Sequence, residues 1–121
     1  MKIFSIFVLY KIPESSGGGQ SRILKSSNDL SSFGFFQRGS VDEFMKFTAK
    51  IITERTPVST RSSVKEQEYI AHVYVRADHL SAVIISDKEY PKRVAHTLLN
   101  KILEEFSKSV SSSSWPTLLE V

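Results

Sequence analysis

The side chains that most often carry out acid–base or metal chemistry are few and scattered in this sequence. His72, His79 and His96 are its three histidines, and they fall on different predicted elements. Their separations do not match those of metal ligands on one helix or strand. His72 lies in an apolar strand and His96 near the start of a helix, where structural histidines outnumber ligands. The spacing therefore predicts no metal site, although folding can still bring histidines together.

Other groups that could support catalysis lack the context that catalysis needs. The carboxylates of Glu66 and Glu68, and of Glu104 and Glu105, lie among charged neighbours in segments expected to be solvated. No serine stands in a G-x-S-x-G turn. The glycines at 17–19 precede a strand-like segment and not a helix start, so they indicate a loop and not a phosphate cradle. We expect a protein that is not an enzyme and needs no cofactor.

The composition describes an ordinary globular domain. The chain has 121 residues, 40% of them hydrophobic and 24% charged, which suits a single domain with a buried core. Its net charge of +3 is spread over interleaved acids and bases, so we expect no nucleic-acid partner. There is no cysteine. Disulfides, thiol chemistry and attachment of a prenyl or palmitoyl group are excluded for these residues, and a reducing compartment fits.

The apolar segment at residues 3–10 predicts a buried central strand. It is apolar at both alternating sets of positions, as expected of a strand that is covered on both faces. Its eight residues are far fewer than the roughly twenty needed for a membrane-spanning helix, and no small-x-small cleavage pattern follows. We expect a soluble chain with no stable membrane anchor.

A first helix is predicted after the aromatic segment at residues 33–38. Ser40 and Glu43 match a capping box, which predicts that the helix begins at Ser40, and Pro57 predicts an end near residues 55–56. The predicted apolar face has Phe47 and Ile51 on its flank and consists of Val41, Phe44, Met45, Thr48 and Ile52. Phe47 has two interpretations: a core residue at the rim, or half of an exposed apolar groove.

The remaining pattern predicts three antiparallel strands and a second helix. Residues 57–63 suit a polar loop, residues 64–87 have strand periodicity, and a second strand is predicted earlier at residues 21–26. Pro91 suits the first turn of a last helix, whose apolar positions are Ala95, Leu98, Leu99, Ile102 and Phe106. Residues 107–114 are serine-rich and predicted to be loose, and Trp115 with Pro116 suits the start of a short further element. The predicted order β-β-α-β-β-β-α gives an α+β class that hosts many functions.

Several long segments of the sequence indicate a particular family as well as a fold class. They resemble the longin domain of the prenylated and palmitoylated R-SNARE family, the synaptobrevin homologues of Golgi and vacuole traffic. The resemblance rests on Met1 to Ile3 with Val8 to Tyr10, on the aromatic segment 33–38 with the helix after it, and on residues 64–76 and 87–106. It covers nearly the whole chain. The family's SNARE motif and terminal cysteine pair have no counterpart here, and the loop at 13–20 is longer than is typical of the family.

The resemblance implies a profilin-like longin fold, with a five-stranded antiparallel sheet sandwiched by helices. We expect the longin domain at residues 1–108 and a serine-rich tail at 109–121. The implied function is regulatory: the domain folds back on its own or a partner SNARE helix, or on an acyl or prenyl lipid, and contributes to targeting. The implied contacts with Q-SNAREs pass through the SNARE motif, and the implied location is cytoplasmic and peripheral to Golgi, ER and vesicle membranes.

In the family, the first helix and the neighbouring third strand form a hydrophobic groove. The resemblance assigns Phe47 to it first, then Phe44 and Ile51 on the helix and Val64 on the strand. The alternative function is a stand-alone longin-like adaptor subunit of a tethering or coat complex, which needs no SNARE motif.

Overall fold

The computed structural model describes residues 2–13 and 20–118, and these form a five-stranded sheet with two long helices. The predicted glycine loop at 17–19 lies outside the described residues. The elements, in chain order, are β1 (Ile3–Ile12), β2 (Gln20–Asn28), α1 (Arg38–Arg55), β3 (Thr60–Glu66), β4 (Tyr69–Val75), β5 (Leu80–Asp87) and α2 (Lys92–Ser109). Short 3-10 turns precede α1 at Phe35–Gln37 and follow α2 at Ser112–Ser114.

All neighbouring strands are antiparallel, in the order β2-β1-β5-β4-β3. β1 lies inside the sheet between β2 and β5, as its two-sided apolar pattern predicts. β3 is an edge strand and pairs only with β4 among the described strands. The predicted α+β class, with a five-stranded antiparallel sheet sandwiched by helices, is confirmed.

One core lies between the sheet and α1. The helix contributes Met45, Ala49 and Ile52 to it, at the i, i+4, i+7 spacing of one helical face. The Thr53 hydroxyl lies 3.0 Å from that of Ser81 on β5, so the buried polar groups at this contact are paired. The sheet side of this core consists of Phe7, Leu9, Ala71, Val73, Val75, Val83 and Ile85.

The second core lies on the opposite face, against α2. Leu99, Leu103 and Phe106 pack on alternate residues of the same strands, among them Val8 and Ile84. The predicted helix face omits Leu103, which is fully buried, and includes Leu98 and Ile102, which are only partly buried. α1 and α2 therefore cover the two faces of one sheet.

The structure corrects three predicted boundaries. α1 begins at Arg38, so Ser40 lies inside the helix, and Gln37 is an N-cap without a side-chain hydrogen bond. The 3-10 turn before it leads directly into α1 and makes a cap at Ser40 unnecessary. β3 begins at Thr60, inside the predicted polar loop, because an edge strand needs few apolar residues. Pro91 is the N-cap of α2 and not its first helical residue.

The segment after α2 is more ordered than its serine content predicts. α2 continues to Ser109, and the Trp115 indole packs on Phe106 with only 2% of the residue exposed. The indole Nε1–H donates to the Val110 carbonyl at 3.2 Å, which satisfies the one polar atom of the side chain. The prediction that residues 107–114 are loose is wrong. The domain boundary at 108 stays a prediction, and the burial of Trp115 favours a domain that extends beyond it.

Candidate functional site

The candidate site is an apolar groove between α1 and β3, with a volume of about 380 Å³. A volume of this size lies within the range of small-ligand pockets, roughly 300–1,000 Å³. All four residues that the resemblance assigns to a groove lie together on its lining. The lining consists of Phe44, Phe47, Thr48, Ile51, Ile52, Arg55 and Thr56 with Ser62, Val64, Glu66 and Ala71.

The helical wall presents aromatic side chains to solvent. Phe44, Phe47 and Ile51 follow one another at i+3 and i+4, so they form a ridge beside the buried Met45 and Ala49 stripe. Phe47 is 64% exposed and Phe44 is 49% exposed. This exposure excludes Phe47 as a core residue at the rim and corrects the placement of Phe44 on the buried face. Together with the groove beside them, these exposed phenylalanines make this surface a candidate contact site.

The opposite wall is one face of the edge strand. Ser62, Val64 and Glu66 alternate along β3 and therefore point to the same side of the sheet. Val64 is 38% exposed and faces the helix ridge across the groove. Ile52 of α1 and Ala71 of β4 belong to both the lining and the buried core. A small side chain at Ala71 leaves the groove room that a larger residue would fill.

The two ends of the groove carry opposite charges. Arg55 ends α1 beside the start of β3, and Glu66 ends β3 at its pair with Tyr69. The Tyr69 ring packs edge-on against Phe44 at a centroid distance of 6.0 Å, which places Phe44 at the Glu66 end. Burial, and secondly the charge of Glu66, raises the pKa of Tyr69, so its hydroxyl is neutral. The groove therefore suits a ligand that is apolar along its length, with a negative charge at the Arg55 end and a positive charge at the Glu66 end.

This arrangement suits binding better than catalysis. The groove combines an apolar floor with a polar rim, and its titratable side chains are Arg55 and Glu66 at opposite ends. No group of three or more His, Cys, Asp or Glu side chains within residues 2–13 and 20–118 is placed to hold a metal ion. Each methylene buried in such a groove contributes about 0.8 kcal/mol to binding.

A group of polar side chains lies on the other face of β3, where folding brings two histidines together. The Ser63 Oγ lies 2.8 Å from His72 Nδ1 and 2.9 Å from His96 Nε2. The histidine rings meet edge-on at 5.7 Å, and His72 Nε2 lies 3.2 Å from Ser86 Oγ. We call these four residues, Ser63, His72, Ser86 and His96, the histidine–serine cluster. No local pattern predicts this cluster, because its residues lie on β3, β4, β5 and α2.

Both histidines of the cluster are neutral at pH 7. Burial lowers the pKa of His72 to about 4, and the nearby His96 and Lys92 add to this effect. Burial also lowers the pKa of His96, helped by Lys92 and Arg61. His72 is fully buried, and no partner meets the buried His96 Nδ1 among the described residues.

Another apolar groove lies on the α2 side of the sheet, with a volume of about 430 Å³. It runs between α2 and the paired strands β1 and β2, and its lining includes Ile6, Leu98 and Ile102 with Lys25 and Lys101. It lacks the highly exposed aromatic ridge that distinguishes the groove between α1 and β3. The latter is therefore the stronger candidate.

Neither helix of the described residues could serve as a membrane span, since none is both long enough and apolar enough.

Comparison with known proteins identifies relatives over almost the whole chain. Residues 30–120 match the family model for longin, described as a regulated-SNARE-like domain. The sequence is 47% identical over 115 residues to the synaptobrevin homolog ykt6 of Schizosaccharomyces pombe. It is 42% identical over 118 residues to the synaptobrevin homolog YKT6 of Candida glabrata, and 46% identical over 105 residues to that of Saccharomyces cerevisiae.

These alignments cover the chain more fully than they cover the relatives. They include 95%, 98% and 87% of this chain, but only 56%, 58% and 52% of the three relatives in the same order. The chain thus spans a little over half the length of the relatives it matches. The relatives are named as synaptobrevin homologues, none of these names is that of an enzyme, and the stand-alone adaptor alternative is not favoured.

Proposed function

The chain belongs to the longin family, and on that premise we propose that it is the regulatory longin domain of an R-SNARE in vesicle trafficking. It acts by binding: the groove between α1 and β3 receives a SNARE helix or an acyl or prenyl lipid chain. Occupation of the groove holds the SNARE closed, and the domain contributes to targeting at Golgi, ER and vesicle membranes. Contacts with Q-SNAREs belong to the SNARE motif.

The exposed ridge of Phe44, Phe47 and Ile51 opposite Val64 is the observation that carries this proposal. It leaves aromatic surface in water that a free domain has no structural reason to expose. An amphipathic helix uses anchors at i, i+3, i+4 and i+7, which fit a groove whose own wall has helical spacing. A lipid chain would contact the same apolar side chains and would not need the charged side chains at the two ends of the groove.

The opposite charges at the two ends favour one direction of a bound helix. An acidic side chain near Arg55 and a basic one near Glu66 would pair with the groove, while the reverse orientation would place like charges together. Rim charges of this kind contribute more to orientation and association rate than to affinity.

The test is the substitution Phe47→Glu, with Phe36→Glu as the matched control. Phe36 is 95% exposed and does not line the groove, so it carries the same chemical change outside the site. One probe is the part of the Schizosaccharomyces pombe relative that lies outside the match. The second probe is N-acetyl-S-farnesylcysteine methyl ester, a neutral prenyl lipid.

We expect Phe47→Glu to weaken binding of a groove ligand at least tenfold by calorimetry, because it removes an anchor and places a charge in an apolar site. Phe36→Glu should bind within about twofold of the unsubstituted protein. Circular dichroism should show the same fold for both variants. Unchanged affinity of Phe47→Glu for both probes would remove the groove from the proposed function.

A further inference from the structure

The two faces of β3 make different contacts. One face supplies Ser62, Val64 and Glu66 to the groove. The other face is held to α2 by the Ser63 contact with His96 and by Arg61, whose Nη2 donates to Asn100 Oδ1 at 2.7 Å. The groove wall is therefore positioned partly by polar contacts behind it.

These polar contacts matter because, among the described strands, β3 is paired along one edge only. It is an edge strand with one paired neighbour, and most of its residues are partly or fully exposed. Arg61 also stacks on Tyr74 with its guanidinium 4.0 Å from the ring centroid. Edge strands with few buried apolar contacts open at lower free energy than central strands.

The cluster has one consistent order of hydrogen bonds when both histidines are neutral. The Ser86 hydroxyl donates to the Asp87 carbonyl at 3.0 Å, so Ser86 accepts from His72 Nε2–H. His72 Nδ1 then accepts from the Ser63 hydroxyl, which in turn accepts from His96 Nε2–H. His96 Nδ1 remains as a lone pair without a partner, the least costly way to leave a buried nitrogen.

This series of hydrogen bonds cannot take up another proton without leaving a donor unpaired. If His96 takes it at Nδ1, the new buried N–H has no acceptor among the described residues. If His72 takes it at Nδ1, that N–H donates to Ser63, and the Ser63 hydroxyl then either donates to His96, which moves the His96 proton to the same unpartnered Nδ1, or loses its own acceptor. Either route leaves a donor of the cluster unpaired beside the contact between Ser63 and His96, and pairing that donor requires one of these two side chains to move.

The charged surroundings of the cluster also oppose a proton. The side chains that share its face of the sheet are Arg61 and Lys65 on β3, Ile70 and Tyr74 on β4, and Ala82 and Ile84 on β5. α2 contributes Lys92 near the two histidines. The charged side chains that the strands present on this face, and Lys92 of α2, are therefore cationic within the part of the chain that the structure describes.

We propose that the histidine–serine cluster couples the groove to pH, because proton uptake by the cluster releases β3 from α2 and weakens ligand binding in the groove. The proposal rests on the proposed function and names a regulation of the same site. Acidification would favour the open domain, and a bound ligand would in turn resist protonation of the cluster, since coupling between two sites is reciprocal.

The sign of the effect follows from the lowered histidine pKa values. A histidine whose pKa lies below its ordinary 6.5 keeps its neutral, bonded form above that pH. The bonded form becomes progressively less favoured as the pH falls from 6.5 towards about 4. Binding should be strongest at neutral pH and weaken across this window.

The experiment measures the affinity of the neutral farnesyl probe at pH 7.5 and pH 5.0 by calorimetry. The probe has no group that titrates in this range, so a change belongs to the protein. We expect binding to be roughly fivefold or more weaker at pH 5.0, the usual lower size of coupling between two sites. Proton NMR titration of His72 and His96 should show a lower pKa for at least one of them when the probe is saturating.

Two variants separate coupling from general acid sensitivity. His96→Gln keeps a group that bonds to Ser63 but cannot take a proton, so it should bind as the unsubstituted protein does at pH 7.5 and lose most of the pH dependence. His79→Asn is the matched control: its Nδ1 contacts the Lys11 carbonyl at 2.9 Å, on the turn before β5 and away from β3. It should retain the full pH dependence.

Each outcome decides between the two proposals. Equal affinity at both pH values, with circular dichroism unchanged, would overturn the coupling and leave the groove function in place. A full pH dependence in His96→Gln would also overturn it. Failure of the probe to bind at pH 7.5, where the cluster is neutral, would overturn the lipid-binding function of the groove and the coupling with it.

Discussion

His72 illustrates how a single buried side chain depends on its partners. Its ring is fully buried, yet both nitrogens meet hydroxyl groups, so the neutral form is satisfied at little cost. Phe47 illustrates the reverse, since its large apolar ring is 64% exposed on a helix that buries Met45 and Ala49. Packing within the domain explains the first residue, and it leaves the ring of the second available for a contact.

The stability of the fold should fall on acidification, in part because of His72. Its folded pKa of about 4 is below the unfolded 6.5, so the unfolded state binds protons first as the pH falls. The full contribution is present above pH 6.5 and is lost towards pH 4, with a maximum of about 3 kcal/mol. Urea unfolding at pH 7.0 and pH 4.5 measures the loss.

The matched variant for this prediction is His72→Gln, which removes the titrating ring. It should be less stable at pH 7.0, because the bonds to Ser63 and Ser86 are weakened, but it should lose less stability on acidification. An equal loss in both proteins would assign the acid sensitivity to groups other than His72.

At the scale of elements, the main surprise is where α1 and β3 begin. The capping box at Ser40 is a strong local pattern, but the 3-10 turn at Phe35–Gln37 already sets the direction of the chain before it. β3 begins at Thr60 because pairing with β4 organises a segment without an apolar pattern of its own. The earlier start of β3 adds Ser62 to the groove wall, whereas the earlier start of α1 adds no residue to the lining.

Ser40→Ala tests the corrected start of α1. Because Ser40 is exposed inside the helix, we expect the free energy of unfolding to change by less than about 0.5 kcal/mol, whereas loss of an N-cap costs about 1 kcal/mol. The comparison is Thr56→Ala at the other end. There the hydroxyl donates to the Ile52 carbonyl at 2.6 Å, and we expect a loss of about 1 kcal/mol. A cost at Ser40 similar to that at Thr56 would restore the capping box.

At the scale of the whole molecule, the sheet divides the domain into two separately packed cores. Ile52 belongs to the core under α1 and Ile84 to the core under α2, on opposite faces of the sheet. The sheet transmits hydrogen bonding but keeps the side chains of the two layers apart. β3 is an exception, because its polar contacts to α2 lie directly behind the groove wall.

The separation of the cores predicts additive effects. Ile52→Val and Ile84→Val should each cost roughly 0.5–1.5 kcal/mol, and the double variant should equal their sum within about 0.5 kcal/mol. Urea unfolding measures all three, and each should remain a single cooperative transition. A coupling energy above 1 kcal/mol would show that the layers communicate through the sheet.

The sequence by itself determined the class of the fold, the number and order of its long elements, and the buried role of β1. These follow from local periodicity, since a strand apolar on both sides and two amphipathic helices have few compatible architectures. Resemblance added the family and the four groove residues Phe44, Phe47, Ile51 and Val64, which the structure places on one lining. That they bind a ligand remains a prediction.

Only the tertiary structure decided the rest. The pairing of β3, the burial of Trp115 and the meeting of His72 with His96 all join residues far apart in the chain, and no local pattern encodes such contacts. The exposure of the Phe47 side chain was likewise decided by the tertiary structure. Helical spacing gave its angular position at the edge of the buried stripe, but exposure depends on which neighbour approaches that edge. Here β3 lies across the groove from that edge of the helix and does not cover Phe47.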